Sequence, residues 1–272
     1  MNKYLRILYS QISSQLIYKF DTCVKLALKV MQILTTVFIW KAIYISNEYN
    51  YIGEYSYNNM IMYIILANVA SVIFSFEPCF RLGTLIHSGK LTTLLLRPIH
   101  LLYESFARYM GSKILEVTVY LILAFFMINA QGADILYVFF ALIFLLLAFL
   151  MFFMCVSVIS TIGFWIIQMW PLRSILTAIY LLMGGLYFPL DLLPKPYYMV
   201  LSVTPFAIVG HVLTKVLTCQ VENTFILYYC LITLIWIVFL YYIYNILLSN
   251  LRSRETIPRL WYKSLTVTTA NP

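Results

Sequence analysis

Three histidines (His87, His100 and His211), ten carboxylates and five cysteines are the residues of this 272-residue chain that could do acid–base, nucleophilic or metal chemistry. Their spacing argues against each. No two histidines stand four apart, as a zinc-binding H-E-x-x-H helix requires. There is no Gly-x-Ser-x-Gly nucleophile elbow. Cys23, Cys79, Cys155, Cys219 and Cys230 are scattered without a Cys-x-x-Cys pair, and read as buried apolar thiols rather than a disulfide framework or a zinc site. Gly83-Thr-Leu-Ile-His-Ser-Gly89-Lys90-Leu91 approximates a phosphate-binding loop but fails twice. Five residues separate the glycines instead of four, and Leu91 stands where a magnesium-binding Ser or Thr belongs. No catalytic residue and no metal ligand is therefore assigned, and the chain is not expected to bind ATP by itself.

The elements that would position such residues are membrane helices. Hydrophobic residues make up 63% of the chain and charged ones only 10%, against ~25% charged in soluble domains. A water-soluble globule cannot hide that much apolar surface, which excludes a soluble enzyme and a nucleic-acid-binding chain. The first twenty residues lack the continuous apolar core and small-residue cleavage site of a secretory signal.

A span needs about 20 mostly apolar residues. Six segments qualify: 26–45, 60–80, 114–128 (short unless it begins earlier), 135–163, 175–193 (interrupted by Gly184-Gly185 and Pro189) and 225–248. Six spans place both termini on one side. Lys and Arg choose that side: fifteen of the eighteen lie in the N-terminal segment, the loop after span two, the loop after span four and the tail, leaving only Lys41, Lys195 and Lys215 opposite. By the positive-inside rule both termini are cytoplasmic. The span centres are nearly uncharged. Glu77 and Glu116, at the cytoplasmic ends of spans two and three, read as interfacial carboxylates paired with nearby Arg81 or Lys113.

Leu5, Leu8, Ile12, Leu16 and Phe20 recur at helical spacing, so residues 1–23 are expected to hold an amphipathic helix on the cytoplasmic membrane face. The cytoplasmic loop 81–113 is too long for a hairpin and is expected to hold a helix of its own. Residues 184–218 carry Pro189, Pro194, Pro196 and Pro205 yet stay apolar, which fits an extracytoplasmic re-entrant cap whose polar backbone is satisfied by protein or water. Residues 249–272 form a cytoplasmic tail. Tyr63, Phe74, Tyr180 and Met183 are candidate lining for a cargo path, since polarizable side chains suit amphipathic or hydrophobic molecules.

Two stretches carry a family resemblance. One is Leu85-Ile86-His87-Ser88-Gly89-Lys90-Leu91 followed by Leu94-Leu95-Leu96-Arg97-Pro98. The other is Gly184-Gly185-Leu186-Tyr187-Phe188-Pro189-Leu190-Asp191-Leu192-Leu193-Pro194 followed by Thr204-Pro205-Phe206. With the order of spans, loop and cap, the whole chain resembles the membrane subunit (permease) of type-2 ABC exporters. It departs from many relatives at Met183, where they carry a small hydroxyl residue.

That resemblance implies an all-α integral membrane protein, a single permease domain over residues 1–272 of a multi-pass bacterial plasma-membrane exporter. It implies two ABC ATPase subunits on the cytoplasmic side, which would hold ATP and magnesium, and a second permease chain, identical or homologous. It also implies that Arg81, His87, Ser88, Gly89, Lys90, Arg97 and Pro98 belong to a coupling helix seated on the ATPase, and that Gly184, Gly185, Phe188, Pro189, Asp191 and Pro194 form a gate or cap. The cargo would be an antibiotic, peptide or lipid-like molecule moved outward by alternating access. A secondary ion-coupled carrier and a membrane-embedded lipid-modifying enzyme stand as the alternatives.

Overall fold

The structure is a computed structural model that describes residues 3–17, 19–46, 51–76, 80–81, 84–85, 100–164, 166 and 170–253. Helix α1 (Lys3–Ile17) leads into α2 (Lys19–Ser46). A short antiparallel hairpin, β1 (Tyr51–Ile52) and β2 (Tyr55–Ser56), turns on Gly53 and feeds α3 (Tyr57–Ile73). Ser56 caps α3 by accepting from the Asn59 amide. Next come α4 (Leu101–Ala130), α5 (Ile135–Thr161), α6 (Trp170–Met183), α7 (Lys195–Ser202), α8 (Pro205–Leu217) and α9 (Asn223–Ser253).

Four of these helices are long and apolar enough to cross a membrane: Cys23–Ser46, Leu101–Asn129, Ile135–Thr161 and Asn223–Ser249. Helices α7 and α8 meet at 84° and count as a fifth only if the bent pair is taken as one broken span. The segments read as spans two and five are shorter than the sequence pattern suggests. Helix α3 has 17 residues, about 26 Å, because Phe74 leaves helical geometry and the chain bends through Ser75 and Phe76. Helix α6 has 14 residues and stops at Met183, where Gly185 takes a positive φ of 72°. The segment read as span three is instead longer. Its helix α4 starts at Leu101 and has 30 residues, so its first turns occupy the second half of the loop placed at 81–113.

Helix α5 is the centre of the core. Phe144, Ala148, Met151 and Phe152 along it are buried against α3, α4, α8 and α9. A smaller apolar cluster joins Trp40, Tyr55, Met60, Tyr63 and Ile64, with Phe188 and Leu192 packed against it. In contrast, α2 and α9 leave broad apolar faces uncovered, with Leu28, Met31 and Phe38 on one and Ile235, Val238 and Tyr242 on the other all more than 60% exposed. Exposed apolar surface on this scale suits lipid or another apolar chain.

Helix α1 lies across α4. Glycine at 111 permits this, since a β-carbon there would come within 2.6 Å of the Leu8 carbonyl oxygen. Tyr4 accepts from the His100 amide at 3.2 Å, and Gln15 donates to the carbonyl of Ser112. The amphipathic N-terminal helix is thus fixed to the start of α4 rather than tethered only through α2.

Candidate functional site

Residues 184–194 form an irregular segment between α6 and α7, and three of their consecutive carbonyls are satisfied by side chains from elsewhere. Tyr63 donates to Gly185 O at 2.8 Å, Asn68 Nδ2 to Leu186 O at 3.1 Å, and Trp40 Nε1 to Tyr187 O at 2.8 Å. A buried carbonyl without a donor costs about 1–3 kcal/mol, so these three bonds are what allow non-helical backbone to stay packed in an apolar setting. Asn68 is itself fully buried. It also donates to Ile64 O at 2.9 Å, and its Oδ1 faces Lys29 Nζ at 3.5 Å.

Two glycines, one in this segment and one in α8, are demanded by close approach. A β-carbon on Gly210 of α8 would lie 2.0 Å from the carbonyl oxygen of Gly184, and one on Gly185 would lie 2.9 Å from the Tyr63 hydroxyl. Helix α8 therefore crosses the end of α6 backbone to backbone. Over Ile208–Val212 it widens into a π-turn, a local feature frequent at functional sites. Its start is written locally: Thr204 caps by accepting from the Ala207 amide, and Pro205 takes the first helical position. Tyr137 of α5 and Trp236 of α9 donate to Val216 O and Val203 O, at 2.7 and 2.8 Å, and fasten α8 and the bend before it to the bundle.

Asp191 sits at the centre of this cap. Its Oδ2 accepts from Lys215 Nζ at 2.7 Å and from the Tyr55 hydroxyl at 2.9 Å, while Oδ1 lies 3.3 Å from His211 Nε2. Burial alone would raise the Asp191 carboxyl. The hydrogen bonds from His211 and Lys215, with the positive charge of Lys215, outweigh it and hold the group well below the usual carboxylate range. Burial, then the neighbouring carboxylate, pushes the Tyr55 phenol well above its ordinary value. His211 is fully buried, and the Leu190 amide donates to its Nδ1 at 3.4 Å. That lone pair places the ring proton on Nε2, facing Asp191. The Tyr63 hydroxyl, 2.9 Å from the same Nδ1, has one proton to share between the ring and Gly185 O.

Of the cap residues named from sequence, Gly184, Gly185, Phe188, Pro189 and Asp191 gather here. Pro194 lies at the outer edge, where its carbonyl accepts from the Tyr197 and Tyr198 amides to start α7. Tyr63, Phe74 and Tyr180, named as candidate path lining, lie in the packed interior. Tyr63 belongs to the cap network, while Phe74 and Tyr180 pack on Phe152 at 5.3 and 5.9 Å between ring centres. Met183 is half-buried at the end of α6.

Of the expected coupling residues, Arg81 is described; His87, Ser88, Gly89, Lys90, Arg97 and Pro98 lie outside the described residues. Arg81 grips Glu104 in the first turn of α4 with two bonds of 2.8 Å, and Arg108 reaches the same carboxylate at 2.8 Å. Glu77, the partner expected from proximity along the chain, lies outside the described residues; the fold brings to Arg81 a carboxylate 23 positions away. Glu116 has its Oε2 buried without a hydrogen-bond partner, and Lys113 donates to Val72 O at 2.9 Å.

The sequence reading had passed over Trp40, Tyr55, Asn68, Glu104, His211 and Lys215 as members of these sites. One signal was available: His211 and Lys215 stand four apart and so share a helix face. Among the described residues no group of three or more His, Cys, Asp and Glu is placed to hold a metal ion.

The arrangement is a multi-helix apolar body with a sealed polar cap at one place and an arginine-clamped loop start at another. No curated protein matches the chain. The profile of a family described as ABC-2 family transporter protein matches residues 30–254, most of the chain and every helix from α3 to α9 in full, so the protein belongs to the ABC-2 transporter family.

Proposed function

We propose that the chain is the permease subunit of an ATP-driven exporter in a bacterial plasma membrane. It crosses the bilayer six times, through α2, α3, α4, α5, α6 and α9, with α3 and α6 as short spans and both termini cytoplasmic. The bent pair α7–α8 and residues 184–194 form the extracytoplasmic cap. The chain has no nucleotide site; two partner ATPase subunits bind ATP and magnesium, and a second permease chain covers the apolar faces of the bundle. The cargo is amphipathic or hydrophobic.

The observation that carries this reading is the Arg81–Glu104 clamp. Arg81 opens the loop that carries the coupling motif, and Glu104 lies in the first turn of a 30-residue helix long enough to cross the membrane. A bidentate arginine–carboxylate contact is directional, so displacement of the loop is passed to α4 rather than absorbed by slack. Affinity capture of the full chain from its host in mild detergent, followed by mass spectrometry, tests the proposal. Co-purification of a soluble ATPase, with or without a second permease, supports it. Robust ATP hydrolysis by the isolated chain, or its recovery without any ATPase in several detergents, overturns it.

A second reading, an ion-coupled carrier, draws on the Asp191–His211–Lys215 cluster, whose members exchange hydrogen bonds in a buried setting. Abolition of transport by an uncoupler with ATP held constant would favour the carrier.

A further inference from the structure

A cavity of about 850 Å³ lies away from the cap, enclosed by α1, α2, α3, α4 and α5. Its volume is that of a small-molecule site, and much of its lining is apolar, with Leu26, Val30, Ile33, Val69, Val119 and Phe153 as examples. The other charged groups on its wall are already engaged or turned away. Arg81 and Arg108 share the Glu104 carboxylate, Lys113 donates to Val72 O, and Lys25 has partners of its own. Glu116 keeps its Oε2 buried in the protein.

Lys29, which also lines the cavity, is different. Its ammonium donates to Gln32 Oε1 at 3.1 Å and to Asn68 Oδ1 at 3.5 Å, and both partners are neutral amides. Among the described residues no carboxylate lies within ion-pair distance of it. The direction of the side chain is also informative. Lys29 stands six residues, about 9 Å, inside the apolar stretch that opens at Cys23. A lysine that only marks the cytoplasmic side turns its head back toward the nearer interface. Lys29 instead reaches forward to Gln32, nearly a turn further along α2, and across to the fully buried Asn68 of α3. A charge held at membrane depth is costly and marks a site of function. An ammonium has three N–H donors, so two neutral acceptors leave one for an anion.

We propose that Lys29 binds an anionic group, a phosphate or carboxylate, on the exported molecule, whose apolar body occupies the rest of this cavity. The proposal rests on the exporter reading and narrows its cargo from amphipathic or hydrophobic to anionic and amphipathic. The anion takes the third N–H of Lys29 and supplies the counter-charge that the fold withholds. Such a charge-assisted bond is short and strong, while the apolar wall accepts many shapes. A cationic amphiphile of the same length meets an uncompensated ammonium and is disfavoured. Lys29 therefore selects by charge, at a site separate from the cap and from the coupling motif.

The test is equilibrium binding of radiolabelled decyl phosphate, decanol and decyltrimethylammonium to the full chain in a neutral maltoside detergent. No ATPase is present, so the outcome is independent of whether a partner is captured. Decyl phosphate is expected to bind about tenfold more tightly than decanol, and decyltrimethylammonium more weakly than either. Lys29→Gln should bring decyl phosphate down to the affinity of decanol without lowering the melting temperature, because it removes a cation that has no counter-charge. Lys29→Arg should keep the preference to within about threefold. Equal binding of the three probes by the wild type, or an unchanged preference in Lys29→Gln, overturns the site. A lower melting temperature in Lys29→Gln gives the lysine a structural role and overturns it as well. Displacement of decyl phosphate by inorganic phosphate at equal concentration overturns the amphiphile. Equal displacement by phosphatidylglycerol overturns cargo as the occupant in favour of a membrane lipid.

Discussion

Gly210 and Gly184 touch backbone to backbone: a β-carbon on Gly210 would stand 2.0 Å from the carbonyl oxygen of Gly184, far inside any van der Waals contact. The obstacle is main chain and not a flexible side chain, so the crossing of α8 over the end of α6 cannot relax locally. Gly210→Ala is expected to prevent the cap from packing and to leave little folded protein in detergent. Gly132→Ala is the matched control. Unlike Gly210 it sits at a positive φ, 68°, but in open space, and should cost only about 1 kcal/mol. Size-exclusion profiles and thermal melts of the two variants measure the difference.

The Asp191–Lys215 pair has an acid signature. Because the folded carboxyl is held below its ordinary value of about 3.9, the pair's contribution is fully present above that value and is lost as pH falls below it. The wild type is therefore expected to melt at a nearly constant temperature from pH 7 to about 5 and to lose stability below about pH 4. Asp191→Asn should flatten that acid limb while lowering stability at neutral pH. Lys215→Met removes a cation from a pair whose side chains are only 15% and 18% exposed, a loss expected to reach about 3 kcal/mol at neutral pH. Thermal melts across the pH series provide both readings.

Trp40 and Tyr187 tie α2 to the cap through one 2.8 Å hydrogen bond. Trp40→Phe keeps an aromatic ring in the cluster but leaves the Tyr187 carbonyl without that donor. The expected cost is about 1–3 kcal/mol. Labelling of a cysteine placed at Leu192, which packs against the same cluster, should become faster in the variant, with no change at a cysteine placed in α9.

Glu104 holds two guanidinium groups while only 1% exposed. Glu104→Gln leaves Arg81 and Arg108 facing each other without a counter-charge. In the complete transporter this should lower transport per ATP hydrolysed more than it lowers hydrolysis, because it loosens the loop from α4. Charge reversal at Lys90 and Arg97 should likewise uncouple hydrolysis from transport without preventing membrane insertion. Fully coupled transport in the Lys90 and Arg97 double variant would remove the basis for placing the ATPase contact there.

Topology has a direct check. In a cysteine-free background, a single cysteine at Lys195 should react with an impermeant maleimide in intact cells, and one at Ser253 only after permeabilisation. The reverse pattern would overturn the assignment of both termini to the cytoplasm.

Much of this protein was legible in one dimension because the bilayer sets a length and a polarity that any spanning helix must show locally. The apolar stretches that became α2, α4, α5 and α9 needed only composition, and the spacing of Leu5, Leu8, Ile12 and Leu16 was enough to place α1. Gly184-Gly185, Pro189 and Thr204-Pro205 likewise announced an interrupted segment, since glycine and proline constrain the backbone wherever they occur. Which groups meet across the fold had no local signal. Asp191 pairs with a lysine 24 positions on and a tyrosine 136 positions back, Arg81 with Glu104, and the Leu186 carbonyl with Asn68. The cap pairs were decided by how α3 and α8 pack against the broken end of α6, and the Arg81–Glu104 pair by where α4 begins, because a buried polar group takes whichever partner the tertiary structure brings within about 3 Å, whatever its distance along the chain.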